Sequence, residues 1–168
     1  MTEGLAKQPR AVADAARQLG LDLDIREYPE GTRTAADAAR AIGCGVEQIV
    51  KSLVFVADKD PVLVLTSGAN RVDVVKVAKR TGTVDVRKAD AEEVRAATGY
   101  AIGGTPPFGH PRQLTILVDP HLTTLGTLWA AAGTPRHVFP ITPDDLLRAT
   151  GGAVADVTLQ ESRDERAV

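Results

Sequence analysis

The sequence predicts one soluble domain of mixed α and β structure, taken as residues 1–168. Two observations carry this. Two strongly apolar, β-branched runs, residues 49–56 and 61–66, flank the turn Asp58-Lys59-Asp60 and read as a central hairpin. Around them lie segments with apolar residues at helical spacing, several closed by glycine. A chain of 168 residues is long enough to enclose one core without metal or disulfide support.

Taken in order, residues 9–19 place Val12, Ala15, Ala16 and Leu19 on one helical face, with Gly20 as the stop. Residues 21–28 alternate apolar and charged side chains, as a half-buried strand does, and Pro29-Glu30-Gly31 turns the chain. Thr34 caps a helix over residues 35–42, and the hairpin follows. A helix is expected over residues 71–80, a short strand over 83–87 and a helix over 90–98. In that last helix Asp90 and Glu93 have the spacing of a capping box, and Gly99 ends it. Beyond a glycine-rich loop, strands are expected at 114–118, 127–131 and 137–141, then a helix from Thr142-Pro143 to about Arg148 and a last strand over 154–159. A sheet of six or seven members results. The end of the chain, residues 160–168, carries five charges in nine residues and is expected to be loose.

The composition narrows the functional classes. With 43% hydrophobic and 25% charged residues the chain is an ordinary globular protein rather than a disordered one. Cys44 is the only cysteine, which excludes an intramolecular disulfide or a thiolate metal cluster and suits a reducing, cytoplasmic setting. No apolar stretch approaches the roughly 18 residues of a membrane span, and the N-terminus lacks a signal-like apolar segment. A net charge of −2 argues against bulk coating of DNA or RNA and leaves room only for a local basic stripe.

Lys51 is the most informative residue. Strand parity puts it on one face with Ile49, Leu53 and Phe55, where an ammonium group must meet something anionic or carbonyl-like, or else snorkel to water from an edge strand. The loop from Thr98 to His110 holds four glycines and two prolines. Such a path is either a rigid connector or a way to present backbone N–H groups to an oxyanion or phosphate. It is not a Walker loop, because no Gly-Lys-Ser/Thr follows. On the helix at 71–80, Lys76, Lys79 and Arg80 share one side while Val72, Val75 and Ala78 can face the core. That stripe is a solvated face or a contact for a nucleic-acid backbone.

Other constellations fall away. Ser67 lacks the first glycine of a Gly-x-Ser-x-Gly elbow. His110, His121 and His137 form no His-x-x-x-His pair, so no metal site is expected. Cys44 follows a helix instead of beginning one and reads as structural. His110 either lines a site or caps a turn. Trp129 and Tyr100 read as core, whereas Phe108, in the loop, is the better candidate to stack on a base.

Three segments in this order, Ile49-Val50-Lys51-Ser52-Leu53-Val54-Phe55, Leu65-Thr66-Ser67-Gly68 and Gly103-Gly104-Thr105-Pro106-Pro107-Phe108-Gly109, resemble the YbaK/EbsC family of aminoacyl-tRNA deacylases. These are relatives of the editing domain of bacterial prolyl-tRNA synthetases, and the likeness spans roughly residues 8–158. It implies an α+β fold with a mixed, partly closed β-sheet surrounded by helices. It also implies ester hydrolysis on mischarged aminoacyl-tRNA without metal or other cofactor. By the resemblance, Lys51 matches the family's lysine and Gly103 the glycine whose backbone meets the scissile carbonyl region; these are the expected catalytic pair. Substrate contacts are expected from Ser67, Gly104, Thr105, Pro106, Phe108, Gly109, His110 and His137, and contacts to the tRNA backbone from Lys76, Lys79 and Arg80. Where cysteine-specific members carry Gly-x-Asp, this chain has Arg136-His137-Val138, leaving Asp119 and His137 as substitutes to test. The expected activity is removal of a small amino acid such as Ala, Cys or Ser from the acceptor 3′ end, with a synthetase or elongation factor as a further partner and no membrane or DNA involved. The alternative is a non-catalytic module binding a nucleotide or RNA 3′ end; an unrelated small-molecule hydrolase is a third reading.

Overall fold

The computed structural model describes residues 6–32 and 34–159. The chain runs α1 (Lys7–Gln18), β1 (Arg26–Glu27), α2 (Ala35–Ile42), β2 (Val50–Ala57), β3 (Asp60–Ser67), α3 (Val74–Thr81), β4 (Val86–Lys88), α4 (Ala91–Thr98), β5 (Thr115–Val118), β6 (Leu128–Ala131), β7 (His137–Ile141), α5 (Pro143–Thr150) and β8 (Ala153–Val154). Short 3-10 turns occupy Val46–Gln48 and Pro120–Thr124. The α+β class is as the sequence predicts, but the strands form two open sheets: β4-β2-β3-β5-β8 and β1-β7-β6. The first is mixed, with β2 antiparallel to β3 and β4, and β5 parallel to β3 and β8. A bridge between Ile49 and Trp129 joins the two sheets.

The hairpin runs apolar throughout because both of its faces are covered. Val50, Val54, Leu63 and Leu65 pack with Val12 and Ala16 of α1 and with Leu128 and Phe139, whereas Phe55, Ala57, Val62 and Val64 pack against Val77 of α3 and Val157. Alternate residues of each strand thus serve separate cores. The helix starts follow local chemistry: Thr34 Oγ1 accepts from Asp37 N at 3.0 Å, and Asp90 and Glu93 exchange bonds of 2.8 and 2.9 Å in a capping box.

Four expectations need correction. The strand expected over 21–28 is paired only at Arg26 and Glu27, opposite Val138 and His137, although Leu21, Leu23 and Ile25 do pack on the main core. The side-chain alternation is real, but apart from the Leu21 N–H, which donates to Ala16 O at 2.8 Å, the backbone has no strand beside it until β7 arrives. Helix α3 begins at Val74 because the Asp73 side chain accepts from Val75 N at 2.9 Å, while Val72 is drawn into a bridge with Thr158. Its buried residue is Val77, and Val75 is 73% exposed. The last strand covers only Ala153 and Val154. The loose tail expected at 160–168 lies outside the described residues. No helix among the described residues is long and apolar enough to cross a membrane.

The α4 cap gives the fold a measurable acid response. Arg87 forks onto Glu93 at 2.8 and 2.7 Å, and together with the Asp90 N–H it holds the Glu93 carboxyl down to about 2 from 4.5. A depressed carboxylate stabilises the fold above its unfolded pKa, and that support is lost as pH falls from about 4.5 toward 2. NMR titration should therefore find Glu93 still ionised at pH values where ordinary glutamates are protonated, and Arg87→Ala should raise its pKa only part of the way to the normal range, because the Asp90 N–H still bonds the carboxylate.

Candidate active site

Strand β2 is covered unevenly. Strand β3 pairs with it from Val50 to Ala57, but β4 reaches only Phe55, Val56 and Ala57. Ile49 O accepts from Gly68 N on the β3 side and Val54 O accepts from Ala89 N on the β4 side. By that alternation the backbone groups of Ser52 face the open edge. A cleft of about 610 Å³ lies along this edge. Its walls are Val50, Lys51, Ser52 and Leu53 of β2, Trp129, Ala130 and Ala131 of β6, Ala35 and Ala38 of α2, and the turn Ala101, Ile102, Gly103 and Thr105, with Thr32, Thr34, Ile49, Pro135 and Val138 completing it.

The turn is fixed by its own bonds. Gly104 N and Thr105 Oγ1 both donate to Ala101 O at 3.0 Å, and Gly103 has φ +91°, in the left-handed region where glycine is favoured. Gly104 then docks the turn on the neighbouring loop: its carbonyl accepts from Gly133 N at 2.9 Å, and a Cβ there would lie 2.7 Å from Thr134 Cα.

Lys51 is half-buried, and its Nζ donates to Asn70 O at 2.6 Å. Burial lowers its pKa from the ordinary lysine value, with the nearby cations Lys88 and Arg71 adding to the effect and Asp119 opposing it. Of the ammonium's three donors one is used by Asn70, which leaves two for a ligand. Two buried hydroxyls of the hairpin have no partner: Ser52 Oγ and, on the residue opposite Lys51 in β3, Thr66 Oγ1. Among the described residues no group of three or more His, Cys, Asp or Glu is placed to hold a metal ion.

Of the residues expected at the site, Lys51, Gly103 and Thr105 meet at the cleft; the others do not line it. Ser67 is fully buried and its hydroxyl donates to Glu47 O at 2.8 Å. Phe108 is 3% exposed and its ring lies 5.7 Å from that of Phe139, so it is core and not a platform for a base. Pro106 is buried, its carbonyl bonded to His110 Nε2 at 2.8 Å, and burial pushes the His110 pKa down. Gly109 packs against α1, where a Cβ would sit 2.9 Å from that of Ala15. These residues brace the turn from behind. His137 is buried, bonded to Thr134 Oγ1 at 2.6 Å, and faces a separate hollow with Glu27, Glu30, Asp37 and Arg136. On α3, Lys79 and Arg80 are exposed, but Lys76 is not a free cation: it binds Asp156 at 3.0 Å and Thr158 O at 2.7 Å, tying down the segment after β8. The sequence reading missed Thr32, Ser52, Pro135 and the alanine walls. Only Ala35 and Ala38, small residues three apart on one helix face, carried a readable signal.

The profile of the aminoacyl-tRNA editing domain family matches residues 29–149. The chain is 27% identical over 135 residues to EbsC of Enterococcus faecalis, named as a proposed Cys-tRNA(Pro)/Cys-tRNA(Cys) deacylase, covering 80% of this chain and 82% of that one. It is 33% identical over 112 residues, 67% of its length, to a segment making up 19% of the proline–tRNA ligase of Ligilactobacillus salivarius. A crystal structure of a protein proposed as a trans-editing enzyme for prolyl-tRNA synthetase superposes with a TM-score of 0.88 at 46% identity, covering 94% of this chain and all of that one.

Proposed function

Because the chain belongs to the aminoacyl-tRNA editing domain family, we propose that it hydrolyses the ester bond of mischarged aminoacyl-tRNA in the cleft between Lys51 and the turn at Gly103. The observation that carries this reading is the meeting of a half-buried ammonium group and a glycine turn on one cleft of about 610 Å³. Attack on the ester turns its carbonyl oxygen into an oxyanion. The ammonium group and the turn's N–H groups other than that of Gly104, which is bonded to Ala101 O, stabilise that charge, each donor contributing on the order of 3 kcal/mol. The hydroxyls of the cleft residues are poor nucleophiles, since Thr32 and Thr105 Oγ1 donate to Pro135 O and Ala101 O, Thr34 Oγ1 caps α2, and Ser52 Oγ is closed off from solvent. Water is therefore the attacking group, with the ribose hydroxyl or the substrate's own amino or thiol group assisting, and positioning supplies much of the rate.

The alanine walls suit a small acyl group such as Ala, Cys or Ser. Exposed Lys79 and Arg80 remain available to the acceptor stem, with a synthetase or elongation factor delivering the substrate in the cytoplasm. The relatives' names direct the first assays to tRNA(Pro) and tRNA(Cys). The test is a deacylation screen over tRNAs charged with Ala, Cys, Ser and Pro. Release of one or more small amino acids is expected. Binding without release, read from the fluorescence of the single tryptophan Trp129 in the cleft wall, would instead support a non-catalytic module.

Ser52 offers a second check. Its hydroxyl is buried without a protein partner and closed off from solvent, and strand parity turns it to the face opposite Lys51, although the residue's backbone borders the cleft. Ser52→Ala should hold stability within about 1 kcal/mol, because no protein hydrogen bond is lost. Deacylation kcat/KM should likewise stay within about twofold, because the hydroxyl is out of reach of a substrate and the backbone bordering the cleft is unchanged. Thermal melts and single-turnover rates measure the two effects separately.

A further inference from the structure

Behind Lys51 lies a chain of polar contacts that the ester chemistry does not itself require. The Asn70 carbonyl accepts from Lys51 Nζ at 2.6 Å, while the Asn70 side-chain amide donates to Asp119 Oδ2 at 2.8 Å and meets His121 Nδ1 at 3.1 Å. Asp119 is 2% exposed, and it also takes Ser67 N on Oδ2 at 3.1 Å and His121 N on Oδ1 at 2.9 Å. Its own N–H donates to Leu65 O at 2.8 Å. One carboxylate thus gathers the end of β3, the loop after it and the turn after β5 into a fixed arrangement.

We propose that Asn70 and Asp119 are positioning residues for this site: the Asp119 carboxylate anchors the Asn70 amide, and the Asn70 carbonyl held in this way sets where the Lys51 amine projects. The chemistry favours this pairing. A carboxylate has lone pairs enough for two backbone N–H groups and one amide at once. The Asn70 NH2 has two hydrogens, and a carboxylate and an imidazole nitrogen take both, so at 70 an aspartate would set like charge against Asp119. A neutral carbonyl partner, unlike a direct carboxylate, orients the ammonium group without neutralising it and leaves two donors for a ligand. Asp119 acts on the amine from one contact further away, opposing the cations Lys88 on β4 and Arg71 before α3, with His121 bonded to the same amide.

The inference rests on the deacylase reading for its consequence but not for its main test. In protein carrying 13C-labelled lysine, the Lys51 signal is assigned by its loss in Lys51→Met and titrated without substrate. Asp119→Asn keeps the shape and removes the charge, so the Lys51 pKa should fall by roughly 0.3–1 unit, less than the 1–3 units of a direct charge partner. Asn70→Ala keeps the charge and removes the anchor, so the amine should gain water and its pKa should rise toward the ordinary lysine value. Both variants should lose about tenfold or more in kcat with KM within about twofold, since an amine that is present but misdirected fails mainly in the transition state. If Asp119→Asn does not fold, Asn70→Ala decides by the same titration. Shifted titrations in a protein that releases no amino acid from any charged tRNA would uphold the positioning role and overturn the deacylase reading. Folded variants of both kinds with an unmoved Lys51 titration would overturn the inference itself.

Discussion

Replacing Lys51 with methionine should lower kcat/KM for deacylation by about 10³, or about 4 kcal/mol, while leaving the protein folded. The size follows from what is removed. An ammonium group in a half-buried cleft interacts with a developing negative charge more strongly than it would in water, and losing one such donor costs about 10²–10³. Stability should move by no more than about 1 kcal/mol, because the lost bond to Asn70 O is offset by relief of a desolvated charge beside Lys88 and Arg71. Methionine nearly conserves the volume. The pH dependence has a definite sign. The folded pKa of Lys51 lies below 10.5, so the unfolded chain binds this proton more tightly and wild-type stability gains a small rise with pH across the window up to 10.5. The variant should lack that rise. In the wild type, the ammonium-dependent rate should fall away at lower pH than an ordinary lysine would dictate. Paired rate–pH and melting–pH profiles check both, and a fully active methionine variant would remove the amine from the mechanism.

Gly104→Ala should destabilise the fold by about 2–3 kcal/mol and cost at least about 100-fold in activity. The added Cβ would lie 2.7 Å from Thr134 Cα and 2.9 Å from the carbonyl carbons of Gly133 and Thr134, all of them backbone, so no side chain can swing aside. The turn must move off the neighbouring loop. That strains the Gly133 N to Gly104 O bond and displaces Gly103 from the wall of the cleft it shares with Lys51. A shift of about 1 Å at a reacting centre is enough for a loss of this order. Gly126→Ala serves as the control, since a Cβ there meets nothing within 4 Å and the backbone is outside the left-handed region. Urea denaturation and deacylation rates on both proteins separate a local clash from a general intolerance of alanine.

The parts of the site legible from sequence share a character. A lysine within an apolar strand contradicts the cost of burying charge, and a cluster of glycines and prolines contradicts regular structure, so Lys51 and the loop at Gly103 announce themselves without coordinates. Phe108 and His110 show the limit. A residue in such a loop can point either way, and here the ring of Phe108 turns inward to Phe139 while His110 bonds back to Pro106. Lys76 shows it again, because its partner Asp156 lies 80 residues away.

The sequence alone determines the helices and strands that depend on neighbours along the chain: α2 from its Thr34 cap, α4 from Asp90 and Glu93, and the β2–β3 hairpin from its β-branched runs. It also determines that the lysine and the glycine turn exist, since both are anomalies of local composition. Tertiary structure decides what needs distant segments to meet. It leaves β2 unpaired beside Ser52, adds the alanine walls from α2 and β6, and sets Asn70 and Asp119 behind Lys51. Backbone propensity and capping act over a few residues, whereas a free strand edge or a carboxylate gathering three segments exists only after the chain has folded back on itself.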